Sequence, residues 1–292
     1  MRKFLDDRRR ELLFGPAPKR VVSLVPSDTL SLADLGVGHT LVGCTEYCEL
    51  PTELVGALPK VGGTKNPSIE AILALEPDLV LANQEENTKS DLQKLATAGV
   101  RVYIAFPQRA ADGLAHLARL ARIFQVERAP AVVELLRRGY HALAQAEREE
   151  DVARMRVFCP IWMTPLMTIH GSTVISDMLR LAGADNVFAD RERRYPLAAD
   201  LGQRAANDAE GRDVRYPRVT LEEVVARAPQ LILLPNEPHP FSAEDAAVFA
   251  DAFASRPTPP RIEFCDGKDL CWYGSRTVDA LPRLRRLVHG TP

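Results

Sequence analysis

One segment of this chain occurs twice, and that repeat constrains the fold more than any other feature. Residues 68–85 align without gaps on residues 220–237, an offset of about half the 292-residue chain. Each copy begins with Ser or Thr, has a glutamate two residues later, continues as a short apolar helix, and passes through a proline into an apolar strand. A helix-turn-strand unit repeated at this distance predicts two similar lobes. Because small ligands commonly bind between domains, a ligand cleft between the lobes is expected.

Strand and helix patterns alternate in both halves of the chain. Residues 20–25 form a β-branched run typical of a buried strand, and Pro26 to Asp28 then mark a helix start. In the second half, residues 156–159 predict a strand and residues 173–182 a helix. Alternation of this kind predicts parallel sheets covered by helices. The predicted fold class is therefore α/β, with two similar lobes that each contain a parallel sheet.

A long helical pattern separates the two halves. The predicted domains are an N-terminal lobe at 19–126, a connecting helix at 127–151 and a C-terminal lobe at 152–292. At 1.5 Å per residue, about 23 helical residues span ~35 Å, so this helix can join the lobes as a rigid rod. An ordinary surface helix fits the same periodicity. Residues 190–218 are polar without an apolar period, which predicts a long loop that is functional or disordered.

Composition excludes several classes of partner. A formal net charge of −2 offers no basic surface for nucleic acid, and no apolar run reaches the ~18–20 residues of a membrane span. Met1 to Glu11 are mostly charged and lack a signal-peptide core, which predicts a cytoplasmic protein; a start codon further upstream would instead allow a periplasmic one. The five cysteines predict reduced thiols buried as small hydrophobic residues, and their spacing does not match zinc sites.

The sequence lacks the common catalytic motifs. It contains no G-x-S-x-G, Walker A lysine, H-E-x-x-H or strand-linked G-x-G-x-x-G. His116 and His141 lie in helical patterns and are predicted to face solvent, whereas His170 and His239 follow strands, where a ligand contact is one option. These patterns favour a binding protein over an enzyme, with no catalytic residue, metal ligand or cofactor. A catalytic triad split along the chain stays open as an alternative.

The loops after the predicted strands carry the candidate binding residues. Ligands of open α/β sheets bind at the carboxyl ends of the strands. Aromatic side chains there can present rigid apolar faces to a bulky ligand, although each tryptophan can instead pack into the core of its lobe. The candidate ligand-binding residues are Tyr47, Lys65, Glu86, Trp162, Arg194, Tyr195, Trp272, Tyr273 and Arg276.

Three of these candidates are basic. Lys65, Arg194 and Arg276 are expected to give the cleft a positive lining, which suits an anionic chelate or its propionate or phosphate arm. Solvated surface charges are the alternative interpretation of all three.

The repeat also places one acid at the same position in each lobe. Glu70 and Glu222 both fall in the first turn of a predicted helix, where the helix macrodipole stabilises a carboxylate. Matched acids on two lobes can also dock on matched basic residues of a two-fold symmetric partner. The sequence alone leaves both explanations open.

These segments resemble a known family. Val42-Gly-Cys-Thr-Glu-Tyr-Cys-Glu-Leu-Pro51, Val61-Gly-Gly63 and both copies of the repeat are similar, in order and spacing, to class III substrate-binding proteins of ABC importers, the vitamin B12-binding and ferric-siderophore-binding type. The resemblance covers residues 19–290. It implies two lobes joined by a rigid helix, a chelate held in the cleft, and one glutamate per lobe that docks on arginines of the permease dimer.

The resemblance assigns positions to several residues. Glu70 and Glu222 stand where the docking glutamates are expected, and Tyr47 stands where the cobalamin binder has a cleft tyrosine. A cleft tryptophan of that binder is replaced by Thr64-Lys65-Asn66, and the loop at 191–218 is longer than the family's. The expected function is therefore delivery of a corrinoid or iron chelate to an ABC importer by a monomer. The alternatives are a cytosolic sensor or carrier of a similar ligand, and an enzyme built on the same lobes.

Overall fold

The computed structural model describes residues 1–148 and 154–290, which form two compact α/β units. The first unit comprises Met1–His141 and Trp272–Val278, and the second comprises Ala142–Cys271 and Asp279–Pro292. The prediction of two α/β lobes is confirmed. The bounds differ from those predicted, because residues 1–18 and 272–278 both belong to the first unit.

The charged N-terminus is a folded hairpin. Strands β1 (Arg2–Leu5) and β2 (Glu11–Phe14) pair antiparallel, and Phe4 and Phe14 pack edge to face at 5.7 Å. Asp7, in the turn, accepts hydrogen bonds from the Phe106 amide and the Arg119 guanidinium, both at 2.7 Å. The hairpin thus docks beside an edge of the first unit's sheet, where it covers an otherwise unpaired strand edge.

The first unit is built on a parallel sheet. Its strands are β3 (Val21–Ser23), β4 (Leu41–Cys44), β5 (Leu79–Asn83) and β6 (Val102–Ala105), in the spatial order β4-β3-β5-β6. Val22, Val80 and Ile104 of the sheet share one buried cluster with side chains of the covering helices. The helices are α1 (Pro26–Asp34), α2 (Thr52–Val55), α3 (Ile69–Ala74), α4 (Lys89–Thr97), α5 (Ala110–Ile123) and the first part of α6 (Pro130–Arg148), with a 3₁₀ turn at Gly38–Thr40.

The second unit repeats this architecture. Its parallel strands are β7 (Met155–Phe158), β8 (Ala184–Asn186), β9 (Leu231–Pro235) and β10 (Arg261–Cys265), in the order β10-β9-β7-β8. Phe158, Phe188 and Phe249 form the aromatic centre of its core, with ring centroids 5.4 and 5.9 Å apart. Its helices are α7 (Val174–Leu181), α8 (Leu197–Asp200), α9 (Leu221–Ala226), α10 (Ala243–Ala252), α11 (Lys268–Cys271) and most of α12 (Ser275–His289).

The sequence repeat is also a repeat in structure. Helices α3 and α9 have the same length, and each is capped by a hydroxyl, Ser68 or Thr220, that accepts from a backbone amide at 3.2 Å. Such a cap contributes about 1 kcal/mol. After each helix the chain turns through a residue of positive φ, 47° at Glu76 and 45° at Ala228, into strand β5 or β9. The shared motif therefore encodes one local structure twice.

Helix α6 begins at Pro130 and is described as far as Arg148. The predicted connecting helix extended to residue 151, and its last residues lie outside the described part of the chain. Its role as a rigid rod stays a prediction. Within residues 1–148 and 154–290, no helix has both the length and the apolar character required to cross a membrane.

Candidate functional site

Hydrogen bonds from two asparagines shape the loop after β5 in the first unit. Asn83 Oδ1 accepts from the Glu85 amide at 2.7 Å, and Asn83 Nδ2 donates to Tyr273 Oη at 3.2 Å. Asn87 Oδ1 accepts from the Asn83 amide at 2.8 Å, while Asn87 Nδ2 donates to the Thr64 carbonyl at 2.9 Å. The parallel strands bring this loop to the same edge of the sheet as the loops after β3 and β4, as expected of a binding edge.

A buried acid-histidine pair lies beneath this edge. Asp28 Oδ1 and His116 Nε2 are 2.7 Å apart, and both side chains are 0% exposed. The His116 ring lies 5.7 Å from Tyr103 and 5.5 Å from Tyr273. The prediction that His116 faces solvent is therefore wrong: its position lies on the same face of α5 as the buried Leu120, and Asp28 supplies its polar partner. His141 is exposed, as predicted.

Glu86, at this edge, is a carboxyl group with a strongly raised pKa. Burial, followed by the negative charges of Asp28 and Glu85, raises the pKa of Glu86 from 4.5 to about 8. The Lys65 ammonium opposes this rise and donates a hydrogen bond to the Glu85 carbonyl. Glu86 therefore holds a proton at neutral pH and can donate a hydrogen bond to a bound ligand.

This pKa predicts a specific pH dependence of stability. Between pH 4.5 and pH 8 the folded chain binds more protons at Glu86 than the unfolded chain does, so Glu86 lowers folding stability as pH rises. The Glu86→Gln variant and the parent should have the same urea midpoint near pH 4.5. At pH 8.5 the variant should have the higher urea midpoint. Exposed Glu53→Gln is the control, and identical pH profiles for the Glu86→Gln variant and the parent would contradict the assignment.

Tyr47 and Lys65 are exposed at the same edge. Tyr47, in the loop after β4, is 60% exposed. A Cβ at Gly63 would lie 3.3 Å from Tyr47 Cε2, so glycine lets the tyrosine ring approach the Gly62-Gly63 backbone closely. The structure thus brings Tyr47, Lys65 and Glu86 to one edge of the first unit. Their contact with a ligand stays a prediction.

The aromatic pair at 272–273 packs inside the first unit. Trp272 is 7% exposed and Tyr273 is 3% exposed. A Cβ at Gly113 would lie 2.8 Å from Tyr273 Cβ, which shows how closely α5 approaches this residue. Both rings are therefore buried, as the core-packing alternative predicts. Arg276 follows this pair in the sequence and is half-buried. Its contact with a ligand, like that of Trp272 and Tyr273, stays a prediction.

The second unit presents one tryptophan at its strand ends. Trp162, after β7, is 43% exposed, and its indole Nε1 donates to the Thr164 carbonyl at 3.0 Å. Its ring lies 5.3 Å from that of His239, which in turn lies 4.6 Å from the ring of Phe241. Trp162 is therefore an exposed ring at the end of β7, and it lies beside the half-buried His239.

The long polar segment at 190–218 is ordered around one buried carboxylate. Asp200 is 2% exposed and accepts from Arg191 Nη1 at 3.0 Å, from the Arg194 amide at 2.9 Å and from the Arg218 amide at 2.8 Å. Tyr195 lies between two guanidinium groups, with Arg193 Cζ 4.7 Å and Arg212 Cζ 4.0 Å from its ring centroid. Arg194 is exposed. The prediction of an irregular segment is confirmed, apart from the one-turn helix α8.

The two repeated glutamates are both exposed. Glu70 and Glu222 each occupy the second position of their helices, α3 and α9. The pKa of Glu222 is lowered by hydrogen bonds from its own backbone amide and from Thr220. Each carboxylate is exposed on its unit and can contact a partner protein. Its position at a helix start stabilises it even when no partner is bound.

Sequence reasoning missed three polar residues that organise the site. The sequence pattern places Asp28 only at a helix start, predicts His116 at the surface, and gives no signal for Asp200. Their common property is burial beside a partner distant in sequence, which periodicity does not report. Within the described residues, no group of three or more His, Cys, Asp or Glu is arranged to hold a metal ion.

Comparison with known proteins identifies the family. The profile of the periplasmic binding protein family matches residues 21–265. The vitamin B12-binding protein of Yersinia pestis (strain Pestoides F) is 30% identical over 219 residues, which cover 75% of this chain and 70% of that protein.

Solved structures show the same fold. The periplasmic vitamin B12 binding protein BtuF of Vibrio cholerae superimposes with a TM-score of 0.74 at 22% identity, covering 94% of this chain and 98% of that one. The periplasmic heme-binding protein RhuT from Roseiflexus sp. RS-1 gives the same TM-score and identity, with 94% and 99% coverage. The resemblance noted in the sequence is thus confirmed, and the chain belongs to the periplasmic binding protein family.

Proposed function

We propose that this protein binds a bulky metal chelate, a corrinoid or an iron chelate such as haem or a ferric siderophore, and delivers it to an ABC importer. The observation that carries the proposal is the 30% identity to a vitamin B12-binding protein over three quarters of the chain. Family membership supports a binding role, and we infer that the protein acts without catalysis.

The strand-end residues fit this class of ligand. Tyr47 in the first unit and Trp162 in the second are large aromatic side chains exposed after strands. Such rings provide rigid apolar faces together with a polar group, which suits a ligand that is largely a flat or bulky ring system. Lys65 is an exposed cation of the first unit and suits an acidic arm on the chelate.

Delivery requires contact with the importer and access to the outer side of the membrane. We propose that Glu70 and Glu222 make the contact, one from each unit, and that the protein works as a monomer, in the periplasm if it serves an importer and in the cytoplasm if it does not. Cell fractionation tests the compartment separately from ligand binding. Recovery only in the cytosol, with ligand binding intact, would favour a cytosolic carrier over the importer role.

A thermal-shift screen tests the binding step. Cyanocobalamin, haemin and ferric siderophores should be compared with their metal-free chelators and with the metal salts alone. A ligand at 100 times its Kd adds about 2.7 kcal/mol to folding stability, so the correct chelate should raise the melting temperature clearly. A response to free metal but to no chelate would refute the proposed ligand class.

A further inference from the structure

The segment 190–214 lines an open cavity at the surface of the second unit. Its volume is about 470 Å³. Charged and polar side chains dominate the lining, among them His170, Arg193, Arg194, Tyr195, Asn207 and Arg227. The cavity lies next to the carboxyl end of β8, where an α/β sheet places ligands.

Two of the arginines on the lining are neutralised by acids of the protein. Arg227 pairs with Asp190 at 2.5 Å. Arg191 is buried between Asp200 and Glu223, at 3.0 and 3.1 Å. These contacts are structural. Arg193 and Arg194, also on the lining, are cations that can serve a ligand.

Arg193 is held in place by an aromatic contact. Its guanidinium lies over the Tyr195 ring, 4.7 Å from the centroid, and the Arg212 guanidinium lies 4.0 Å from the same centroid. Among the residues that the structure describes, no acceptor bonds the buried Nε of Arg193. A buried donor without an acceptor costs free energy that a bound oxygen atom would recover.

Neighbouring groups make this a region of excess positive charge. Burial and the nearby Arg193 charge lower the pKa of Arg218, so two guanidinium groups repel each other there. Two nearby acids have partners of their own: Asp213 pairs with Arg215 at 2.5 Å and also lies within reach of the Arg193 charge, and Asp200 binds Arg191 and two backbone amides. Glu192 on the lining is exposed. An anion in the cavity would relieve the repulsion.

We propose that this cavity binds a small oxyanion, a phosphate or carboxylate group, through the guanidinium groups of Arg193 and Arg194. Guanidinium is planar and matches both groups with two parallel N–H···O bonds. Asn207 on the opposite part of the segment offers a further amide donor. The inference goes beyond chelate binding, because the cavity lies wholly within the second unit and requires no metal.

The test is calorimetric titration of the full-length protein with inorganic phosphate and, separately, with citrate, at constant ionic strength set by chloride. Saturable binding of one or both anions is expected. Phosphate alone would assign a phosphate site, and citrate alone a carboxylate site. Absence of heat with either anion at millimolar concentration would overturn the proposal.

Matched variants locate the site. Arg193→Gln should weaken binding at least tenfold, whereas Arg204→Gln, an exposed arginine of the same segment, should leave it unchanged. Since Arg193 also stacks on Tyr195, the exposed Arg194→Gln serves as a second variant that carries little packing, and it should weaken binding as well. Equal affinities for Arg194→Gln and Arg204→Gln would contradict the assignment, whatever the stability of the Arg193→Gln protein.

Discussion

Asp200→Ala is expected to lower the free energy of unfolding of the second unit by about 3 kcal/mol, because the buried Arg191 guanidinium loses Asp200 and keeps only the weaker compensation of the half-buried Glu223 at 3.1 Å. Asp200 is 2% exposed and Arg191 is 6% exposed, with 3.0 Å between Asp200 Oδ1 and Arg191 Nη1. The same carboxylate binds the backbone amides of Arg194 and Arg218, so its loss also releases both ends of the polar segment.

Urea unfolding followed by far-UV circular dichroism measures this effect. The matched control is Asp208→Ala, in which an exposed aspartate of the same segment loses its carboxylate. The control should change stability by less than about 0.5 kcal/mol, as is usual for surface substitutions. Equal shifts in the two variants would show that Asp200 does not organise the segment.

Charge reversal of both repeated glutamates should abolish ligand-stimulated ATPase activity of the cognate importer while ligand affinity stays unchanged. Glu70 and Glu222 are exposed at equivalent helix starts, one in each unit. If they dock on basic residues, Glu70→Lys with Glu222→Lys places like charges opposite each other, which costs several kcal/mol at an interface.

The chain offers a closely matched control for this double variant. Glu53 and Glu244 are also exposed glutamates in first helical turns, one in each unit. Their reversal carries the same macrodipole penalty, about 0.3–1 kcal/mol each, and the same change in net charge. Importer activity should survive Glu53→Lys with Glu244→Lys. Loss of activity in both double variants would attribute the effect to net charge rather than to docking.

The architecture was predictable because local signals repeat. The hydroxyl cap, short helix, tight turn and apolar strand occur at the same relative positions in α3–β5 and in α9–β9, and both copies fold as the pattern indicates. The order of strands in each sheet is not visible in the pattern, since it depends on contacts between distant segments. Strand β8 was missed because Ala184–Asn186 is short and polar.

The N-terminal hairpin was missed for a different reason. Its strands contain alternating residues, with Phe4, Leu12 and Phe14 buried and charged neighbours exposed, but each strand has only four residues. The high density of charged residues in this segment obscures the alternation that marks the two strands. Asp6 and Asp7 show that several of these charges serve the turn and its contact with the first unit.

The candidate site was predictable in its location but less so in its chemistry. Loops after strands do collect exposed Tyr47 and Trp162, as expected of an α/β sheet. The buried environment of Glu86 and the Asp28–His116 pair arise from tertiary contacts, so no sequence pattern reveals them. Likewise, the burial of Tyr273 depends on its close packing against Gly113 of α5, which is distant in sequence.

The most direct test of the account is an equilibrium titration of the purified protein with the chelate identified by thermal shift. We expect saturable 1:1 binding that weakens at least tenfold, about 1.4 kcal/mol, in Tyr47→Ala and in Trp162→Ala. Tyr140→Ala is the control, because Tyr140 is an exposed tyrosine on α6. Unchanged affinity in Tyr47→Ala and Trp162→Ala, or no binding of any corrinoid, haem or ferric siderophore, would contradict the proposal that the strand-end loops form a chelate-binding site.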